Sequence, residues 1–274
     1  MSLAVFSYHG GTPLILGLEN HFILGDIMLI MLHWLRRTLA ILDFVVFTVF
    51  LYLLTFVPWR GTHPVAYIFR SWCRAFVRAL NVDIHVHQKN KAHLPERYIL
   101  VANHPSAFED IGIPAVFDVV SLAKREVQDW YIVGRISKAC GTLYVDRENP
   151  ESRREAIGIM VDAVNSGQNI ALYPEGGCKG RRLFPEFKSG AFEVAKQTGL
   201  PILPVFLHYE AQDDFEWQPP YTLPDKLRHM FNAINGRANF YILDPVNPQD
   251  FADKYAMKAH VYEVFADYNR RYLE

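Results

Sequence analysis

The sequence has few cysteines and no excess of charge of either sign. Its three cysteines, Cys73, Cys140 and Cys178, are widely spaced and odd in number, which excludes a disulfide framework and a CxxC zinc pair. Lysine and arginine total 28 against 29 acidic residues, so no whole-chain field favours nucleic-acid binding. These features predict a reducing, cytosol-facing environment and no nucleic-acid partner.

The sequence also lacks several motifs of common enzyme classes. A GxSxG elbow, a Walker A loop and a GxGxxG element are absent, which argues against serine hydrolases, P-loop enzymes and Rossmann dehydrogenases. His85 and His87 alternate along a predicted strand, but no third ligand lies near them in the sequence. We therefore predict no metal site.

The composition is that of a globular or membrane-associated chain. Half of the 274 residues are hydrophobic and 21% are charged, which excludes a disordered or low-complexity protein. At roughly 150 residues per domain, this length predicts one large domain, or one domain with an appendage.

The apolar residues are concentrated near the N-terminus. Residues 39–57 carry one charge, Asp43, and approach the roughly 20 residues that a membrane-spanning helix needs. Residues 22–35 are also apolar but too short to span alone. We expect one span with an interfacial helix, or a helical hairpin that dips into one leaflet; the alternative is a pair of core helices. The predicted division is a membrane-associating region over 1–75 and a second domain over 76–274.

Beyond about residue 80, short β-rich runs alternate with helical ones. A helix is predicted over residues 150–166, where apolar residues recur at helical spacing between Asn149-Pro150 and Gly167, and residues 248–273 also have helical composition. The pattern predicts an α/β fold with a mixed, mostly parallel sheet covered by helices. Strands are predicted at residues 98–102, 119–123, 142–145, 169–173, 202–207 and 238–243.

A histidine and two acids follow the first of these strands. His104 comes directly after it, and Glu109 and Asp110 lie five and six positions further on. On a regular helix neither acid would share a face with His104, so a pairing needs a turn. Pro105 suits the first position of a helix, which would leave His104 just outside it. The alternative is that His104 only caps the helix and the acids are solvated.

Further blocks follow in a fixed order, and together with the histidine block they resemble the glycerolipid acyltransferase family. The resemblance covers roughly residues 101–207. The blocks are residues 123–127 (AKREV), 141–147 (GTLYVDR), 173–177 (YPEGG), 187–191 (FKSGA) and 200–205 (LPILPV).

The resemblance implies transfer of a fatty acyl chain from an acyl-CoA or acyl carrier protein thioester to a lysophospholipid or glycerol phosphate hydroxyl. His104 would be the general base, with no covalent acyl-enzyme and no bound cofactor. The family's acid position holds Glu109 here instead of the usual Asp. Either Glu109 or the adjacent Asp110 could orient the imidazole.

The remaining blocks imply a phosphate site. Arg147 falls on the family's arginine, which would bind a phosphate ester, although an ion pair with Asp146 is an alternative. Glu175, Gly176 and Gly177 form the next block, in which Gly177 replaces the usual Thr. Lys179, Arg181, Arg182 and Lys188 make the following stretch basic, so that Lys188 joins the predicted phosphate contacts; the alternative is a solvated basic loop. Cys178 could act as a thiol nucleophile, but direct transfer needs none.

These observations predict a membrane-associated O-acyltransferase with its active site at the cytoplasmic face. The expected acceptor is 1-acylglycerol 3-phosphate, which would give phosphatidic acid. Alternatives are another lysolipid, including an amino-acid-headed one, glycerol 3-phosphate, a catalytically silent lipid-binding member of the fold, or a soluble thioester-using transferase.

Overall fold

The N-terminal apolar region forms one long helix. A computed structural model of the chain describes residues 15–60, 64–146, 148–180 and 183–273, with side chains from residue 27 onward. Helix α1, Ile15–Leu54, contains the first apolar run and all but the last three residues of the second. Of an N-terminal helix or helical hairpin, the structure has the helix: the Arg36-Arg37-Thr38 link has no proline or glycine, so the backbone continues as a helix.

Most of the described α1 surface is apolar and exposed. Its segment Ile27–Leu54, 28 residues long, could cross a membrane by length and composition. Leu51 is buried, whereas Val46 is 68% exposed. Most of the described part of α1 is therefore not packed against the protein core.

Helix α2, Pro64–Ala79, lies between α1 and the rest of the chain. Trp72 donates its indole N–H to Thr48 of α1 over 2.8 Å, and Phe44 stacks on Phe76 with ring centroids 4.5 Å apart. The N-terminal region is thus a helical pair of α1 and α2. Residue 75, the last residue of the predicted membrane-associating region, lies inside α2. The division into residues 1–75 and 76–274 stays a prediction.

The described residues form a seven-stranded sheet. It is parallel except between the sixth and seventh strands, which confirms the mixed, mostly parallel sheet. The six predicted strands match the observed ones to within two residues at each end. The strands are β1 Asp83–Gln88, β2 Ile99–Ala102, β3 Val120–Lys124, β4 Leu143–Val145, β5 Ile170–Leu172, β6 Ile202–Tyr209 and β7 Arg237–Ile242, in the spatial order β1-β7-β6-β2-β5-β3-β4.

Helices cover both faces of the sheet. The side chain of Leu100 packs on one face with α2, and that of Val101 packs on the other, because successive strand residues point to opposite sides. Burial on both faces explains why the central strands are continuously apolar. The helices beyond α2 are α3 Glu109–Val116, α4 Val133–Ala139, α5 Pro150–Asn165, α6 Gly190–Thr198, α7 Gln212–Phe215, α8 Leu223–Asn232 and α9 Lys254–Tyr272.

Local capping sets the helix starts. Asn149 accepts the backbone N–H groups of Glu151 and Ser152, which confirms the predicted start of α5. Helix α3 begins at Glu109 rather than at Pro105. Residues 105–108 instead form a turn in which the Phe108 N–H donates to the Ser106 hydroxyl over 3.1 Å.

We expect opposite effects on stability from two glycine-to-alanine changes in helices. A Cβ at Gly134 in α4 would lie 2.3 Å from the carbonyl oxygen of Gln128, whereas one at Gly158 in α5 would meet nothing within 4 Å. Gly134→Ala should therefore destabilise by about 1–3 kcal/mol. Gly158→Ala should stabilise by about 0.5–1 kcal/mol. Thermal unfolding of both variants measures this, and a Tm for Gly134→Ala at or above that of Gly158→Ala would contradict it.

Candidate active site

The loop after β2 is held by bonds to three other segments. The Asn103 side chain donates to the Leu207 carbonyl over 3.0 Å and accepts the Leu207 N–H over 2.7 Å. The next two carbonyls, of His104 and Pro105, accept the N–H groups of Lys179 and Trp217. The loop therefore has a defined conformation before any ligand binds.

His104 and Glu109 form a buried pair in this loop. His104 Nδ1 lies 2.7 Å from Glu109 Oε2, and the two residues are 3% and 0% exposed. The turn at residues 105–108 brings the acid back to the imidazole. This confirms that the pairing needs a turn, and the acid that makes it is Glu109; the adjacent Asp110 is exposed.

The Glu109 carboxylate has two more partners. Its Oε2 accepts the Ser106 N–H over 2.9 Å, and its Oε1 accepts the Tyr209 hydroxyl. Burial raises the pKa of Glu109 well above its usual range, while the bonds from Tyr209 and Ser106 act in the opposite direction. Burial and the charge of Glu109 raise the pKa of Tyr209, so its hydroxyl stays protonated as a donor.

Tyr173 covers one face of the imidazole. Its ring stacks on that of His104 at a centroid distance of 4.2 Å and an interplanar angle of 14°. The Tyr173 hydroxyl oxygen is buried and has no hydrogen-bond partner in the described part of the chain. The stack fixes the plane of the ring, and the Glu109 bond fixes its rotation.

Cys178 lies against the imidazole of His104. Its Sγ is 3.4 Å from Nε2 and 3.9 Å from Nδ1 of that ring, and 3.3 Å from the carbonyl oxygen of Ser106. The sequence indicated this cysteine only as a weak candidate nucleophile. The fold places its thiol against the imidazole ring, nearer to Nε2 than to Nδ1.

Glu175 has a different position from the predicted phosphate contact. Its Oε1 accepts the His104 N–H over 2.7 Å, and its Oε2 accepts the Phe184 N–H over 2.9 Å. Burial raises the pKa of this carboxyl. Both oxygens are thus used to join two loops. The negative charge of a Glu175 carboxylate would also repel a phosphate. The side chain positions His104 instead.

The other predicted phosphate contacts lie near this loop. Gly176 has a φ of 78°, which favours glycine, and a Cβ there would lie 3.6 Å from the Lys188 side chain. Gly177 follows it and is half-buried. The Lys188 side chain is 62% exposed, with Nζ 3.9 Å from Glu186 Oε1. Arg147, and the basic residues Arg181 and Arg182, lie outside the described residues.

An apolar cavity of about 710 Å³ adjoins the loop. Asp110 and Ala107 line it on the side of the loop, and the aromatic residues of α2 line it opposite. Its volume falls in the range of sites for small molecules. The α2 and α3 side chains in its wall include Phe69, Trp72, Phe76, Ile111 and Pro114.

The two histidines on β1 have other partners. His85 Nε2 lies 2.6 Å from Asp83 Oδ2, and His87 Nε2 lies 2.9 Å from Asn239 Oδ1. Within the described ranges, no group of three or more His, Cys, Asp or Glu side chains could hold a metal ion.

Sequence reasoning missed Tyr173 and Tyr209. Tyr173 follows β5 and Tyr209 ends β6, the two parallel neighbours of β2. Because the carboxyl ends of parallel strands meet at one edge, polar residues at these strand ends were a usable signal for the site. The sequence alone did not show that β5 and β6 flank β2.

The chain is similar in sequence to known acyltransferases. The sequence model of the family named Acyltransferase matches residues 83–208. The 1-acyl-sn-glycerol-3-phosphate acyltransferase of Neisseria meningitidis is 27% identical over 137 residues, which cover 50% of this chain and 53% of that protein. The lysophosphatidylcholine acyltransferase of Drosophila melanogaster is 34% identical over 123 residues, 43% of this chain and 22% of that protein.

A third relative is the lyso-ornithine lipid O-acyltransferase of Rhizobium meliloti, 25% identical over 166 residues, which cover 60% of this chain and 56% of that protein. The chain therefore spans from about a fifth to a little over half of the length of these relatives. Among solved structures, the LPA acyltransferase PlsC of Thermotoga maritima matches with a TM-score of 0.58 at 21% identity, over 86% of this chain and 96% of that one. This match shows a shared fold.

We expect Tyr209→Phe to raise the pKa of Glu109 further, because it removes a hydrogen bond that stabilises the carboxylate. The titration can be followed by carbon NMR with carboxyl-labelled glutamate, in which Glu109→Gln identifies the resonance. Tyr241→Phe is the matched control, since Tyr241 is also buried but lies on β7 against His87. An unchanged or lower pKa in Tyr209→Phe would show that this bond does not stabilise the carboxylate.

Proposed function

We propose, from the match of the Acyltransferase family model to residues 83–208, that the protein is a membrane-associated O-acyltransferase. It would move a fatty acyl chain from acyl-CoA or acyl carrier protein to the hydroxyl of a lysophospholipid. The observation that carries the proposal is the buried pair of His104 and Glu109, 2.7 Å apart at the end of β2. No bound cofactor takes part, because the thioester is a co-substrate.

The pair supplies a general base. Since Glu109 occupies Nδ1, the Nε2 atom of His104 is the one that can take the proton of the acceptor hydroxyl. Glu109 then stabilises the imidazolium that forms, and His104 returns the proton to the departing thiolate. General-base catalysis of this kind contributes typically 10² to 10⁴ in rate.

The apolar cavity is the proposed site of the acyl chain. Its wall is formed by aromatic side chains of α2 and by α3, and Asp110 lies where the cavity meets the catalytic loop. Burying an alkyl chain there removes apolar surface from water, which favours binding. Asp110 thus lies beside the substrate rather than against His104.

The proposed acceptor is 1-acylglycerol 3-phosphate. The name of the Neisseria relative supports it, and Arg147, Gly176, Gly177 and Lys188 remain the proposed contacts of its phosphate. A lyso-ornithine lipid is the second candidate. Relatives with that name, from Rhizobium and Pseudomonas, align with 60% and 66% of this chain, compared with 50% for the Neisseria protein.

Membrane association is proposed from the exposed apolar surface. The α1 segment Ile27–Leu54 contributes most of it. Tyr131, 81% exposed in the loop before α4, extends this surface because its ring lies 5.7 Å from that of Tyr52 on α1. Trp130 and Ile132 beside it are also exposed. We place the catalytic domain on the cytoplasmic side of the membrane.

We expect the purified protein to convert palmitoyl-CoA and lysophosphatidic acid into phosphatidic acid, as measured by mass spectrometry. His104→Ala should lower kcat about 10²- to 10⁴-fold, because it removes the base. Lyso-ornithine lipid, lysophosphatidylcholine and glycerol 3-phosphate are tested in parallel, and acyl carrier protein replaces coenzyme A in a second series.

Matched acid variants distinguish the two carboxylates in this assay. Glu109→Gln should lower kcat far more than Asp110→Asn, since Glu109 Oε2 lies 2.7 Å from His104 Nδ1. The reverse order would move the orienting role to Asp110. No product from any acceptor or donor would favour a silent lipid-binding protein instead.

We expect a charge on the exposed face of α1 to weaken membrane binding. Val46→Lys places an ammonium in the middle of the apolar run, which costs about 2.5–3.5 kcal/mol and should lower the vesicle partition coefficient about 10²-fold. Tyr255→Lys is the control, because Tyr255 is 57% exposed on α9, which packs on the other face of the sheet from α2. Equal flotation of wild type and Val46→Lys with lipid vesicles would contradict membrane association through α1.

A further inference from the structure

The ring of Tyr173 presents its face to the imidazole of His104. The two ring centroids lie 4.2 Å apart, and the angle between the ring planes is 14°. Tyr173 comes directly after β5, and His104 lies two residues after β2, the strand that pairs with β5 in parallel. The pairing of these strands therefore builds the stack before any substrate binds.

The proposed reaction places a positive charge on this imidazole. Nε2 takes the proton of the acceptor hydroxyl, whose oxygen attacks the thioester carbonyl, and His104 is an imidazolium until it gives the proton to the departing thiolate. The face of an aromatic ring is the negative part of its quadrupole, and it attracts a cation within about 6 Å of the centroid. The imidazolium gains more from the Tyr173 ring than the neutral imidazole does, so the stack favours the state that the reaction creates.

Burial strengthens this attraction. His104 is 3% exposed, and the hydroxyl oxygen of Tyr173 is buried as well. A cation–π interaction stabilises more at a site without water than at an exposed one. Burial also raises the pKa of the Tyr173 hydroxyl well above its usual range, so the phenol stays protonated. The attraction of its ring therefore does not change with pH as that of a carboxylate does.

Other titratable groups also surround His104. Glu109 Oε2 lies 2.7 Å from Nδ1, and Glu175 accepts the backbone N–H of His104 over 2.7 Å. Those in the described part of the chain also include Cys178 against the ring, Asp110 next to Glu109, Tyr209 bonded to Glu109, and Lys179, whose N–H donates to the His104 carbonyl. Burial raises the pKa of both the Glu109 and the Glu175 carboxyl, which opposes their ionisation. The uncharged ring of Tyr173 stabilises the imidazolium without that cost.

We propose that Tyr173 is a positioning residue that stabilises the His104 imidazolium through the face of its ring. The inference rests on the proposed acyltransferase function and deepens it, since it adds a group that acts on the base. Transfer stays direct, from the thioester to the acceptor hydroxyl. The face of the ring is the part of Tyr173 that acts, and the phenol hydroxyl is not needed.

A second stack of a histidine on a tyrosine provides a matched control. The rings of His87 and Tyr241 lie at a centroid distance of 4.7 Å and an interplanar angle of 14°. Tyr241 packs with the core on the opposite face of the sheet from Tyr173. Tyr241→Leu should therefore change the surroundings of His87 and leave those of His104 as they are.

The first test is an NMR titration of His104 in the whole chain in detergent, with isotope-labelled histidine and with His104→Ala to identify the resonances. Tyr173→Leu removes the aromatic face but keeps an apolar side chain, and it should lower the pKa of His104 by about 0.5–1.5. Tyr173→Phe, which keeps the face, and Tyr241→Leu should leave that pKa close to the wild-type value. An unchanged pKa in Tyr173→Leu, or an equal fall in Tyr173→Phe, would overturn the inference.

Fluorinated phenylalanines at position 173 separate the charge distribution of the ring from its shape. Each added fluorine withdraws electrons from the face of the ring and changes its size little. The pKa of His104 should therefore fall stepwise from phenylalanine to the fully fluorinated ring. The series also covers the case in which Tyr173→Leu does not fold, and a flat series would contradict the inference.

The pH profile of kcat/KM measures the same effect in the reaction. A lower pKa keeps His104 neutral to lower pH, so the acidic limb of the Tyr173→Leu profile should move to lower pH by the amount found in the titration. The base is then also weaker, so the plateau should fall about 2- to 10-fold. A loss of rate without movement of the limb would overturn the inference. Absence of product from wild type would overturn the proposed function, whereas the titration needs no turnover and still decides the effect of the ring.

Discussion

The buried Glu109 carboxylate is the group on which the rest of the site depends. A carboxylate with no solvent exposure is costly unless hydrogen bonds satisfy both of its oxygens. Its partners are His104 in the loop after β2, Ser106 in the turn and Tyr209 at the end of β6. These partners are all present only when β6 lies beside β2 and α3 begins at Glu109. The hydrogen bonds of the Glu109 carboxylate thus depend on the strand order, on the turn and on where α3 begins.

The same contacts make the two ring nitrogens of His104 different from each other. Glu109 uses Nδ1, and the Tyr173 ring covers one face, so Nε2 is the nitrogen left for the proton transfer that we propose. Glu175 adds to this by holding the His104 backbone. The bonds position the ring before substrate binds, which reduces the reorganisation needed in the reaction.

The N-terminal helices are joined physically to this site. Helix α2 packs on α1 through Trp72 and also lines the apolar cavity beside Asp110. Arg74 and Arg70 on α2 donate to the carbonyl oxygens of Ala115 and Val116, at the end of the helix that Glu109 begins. Helix α2 therefore connects the apolar surface of α1 with the helix that carries Glu109, the partner of His104.

The sequence by itself determined the class of sheet, the approximate strands and the start of α5, because side-chain periodicity and capping are local properties. It also placed His104 next to an acid. Only the tertiary structure decided that Glu109 rather than Asp110 makes the contact, and that Tyr209 and Cys178 join it from 100 and 74 residues away. These choices depend on which strands become neighbours, and the burial that makes the contacts favourable exists only after the sheet has assembled.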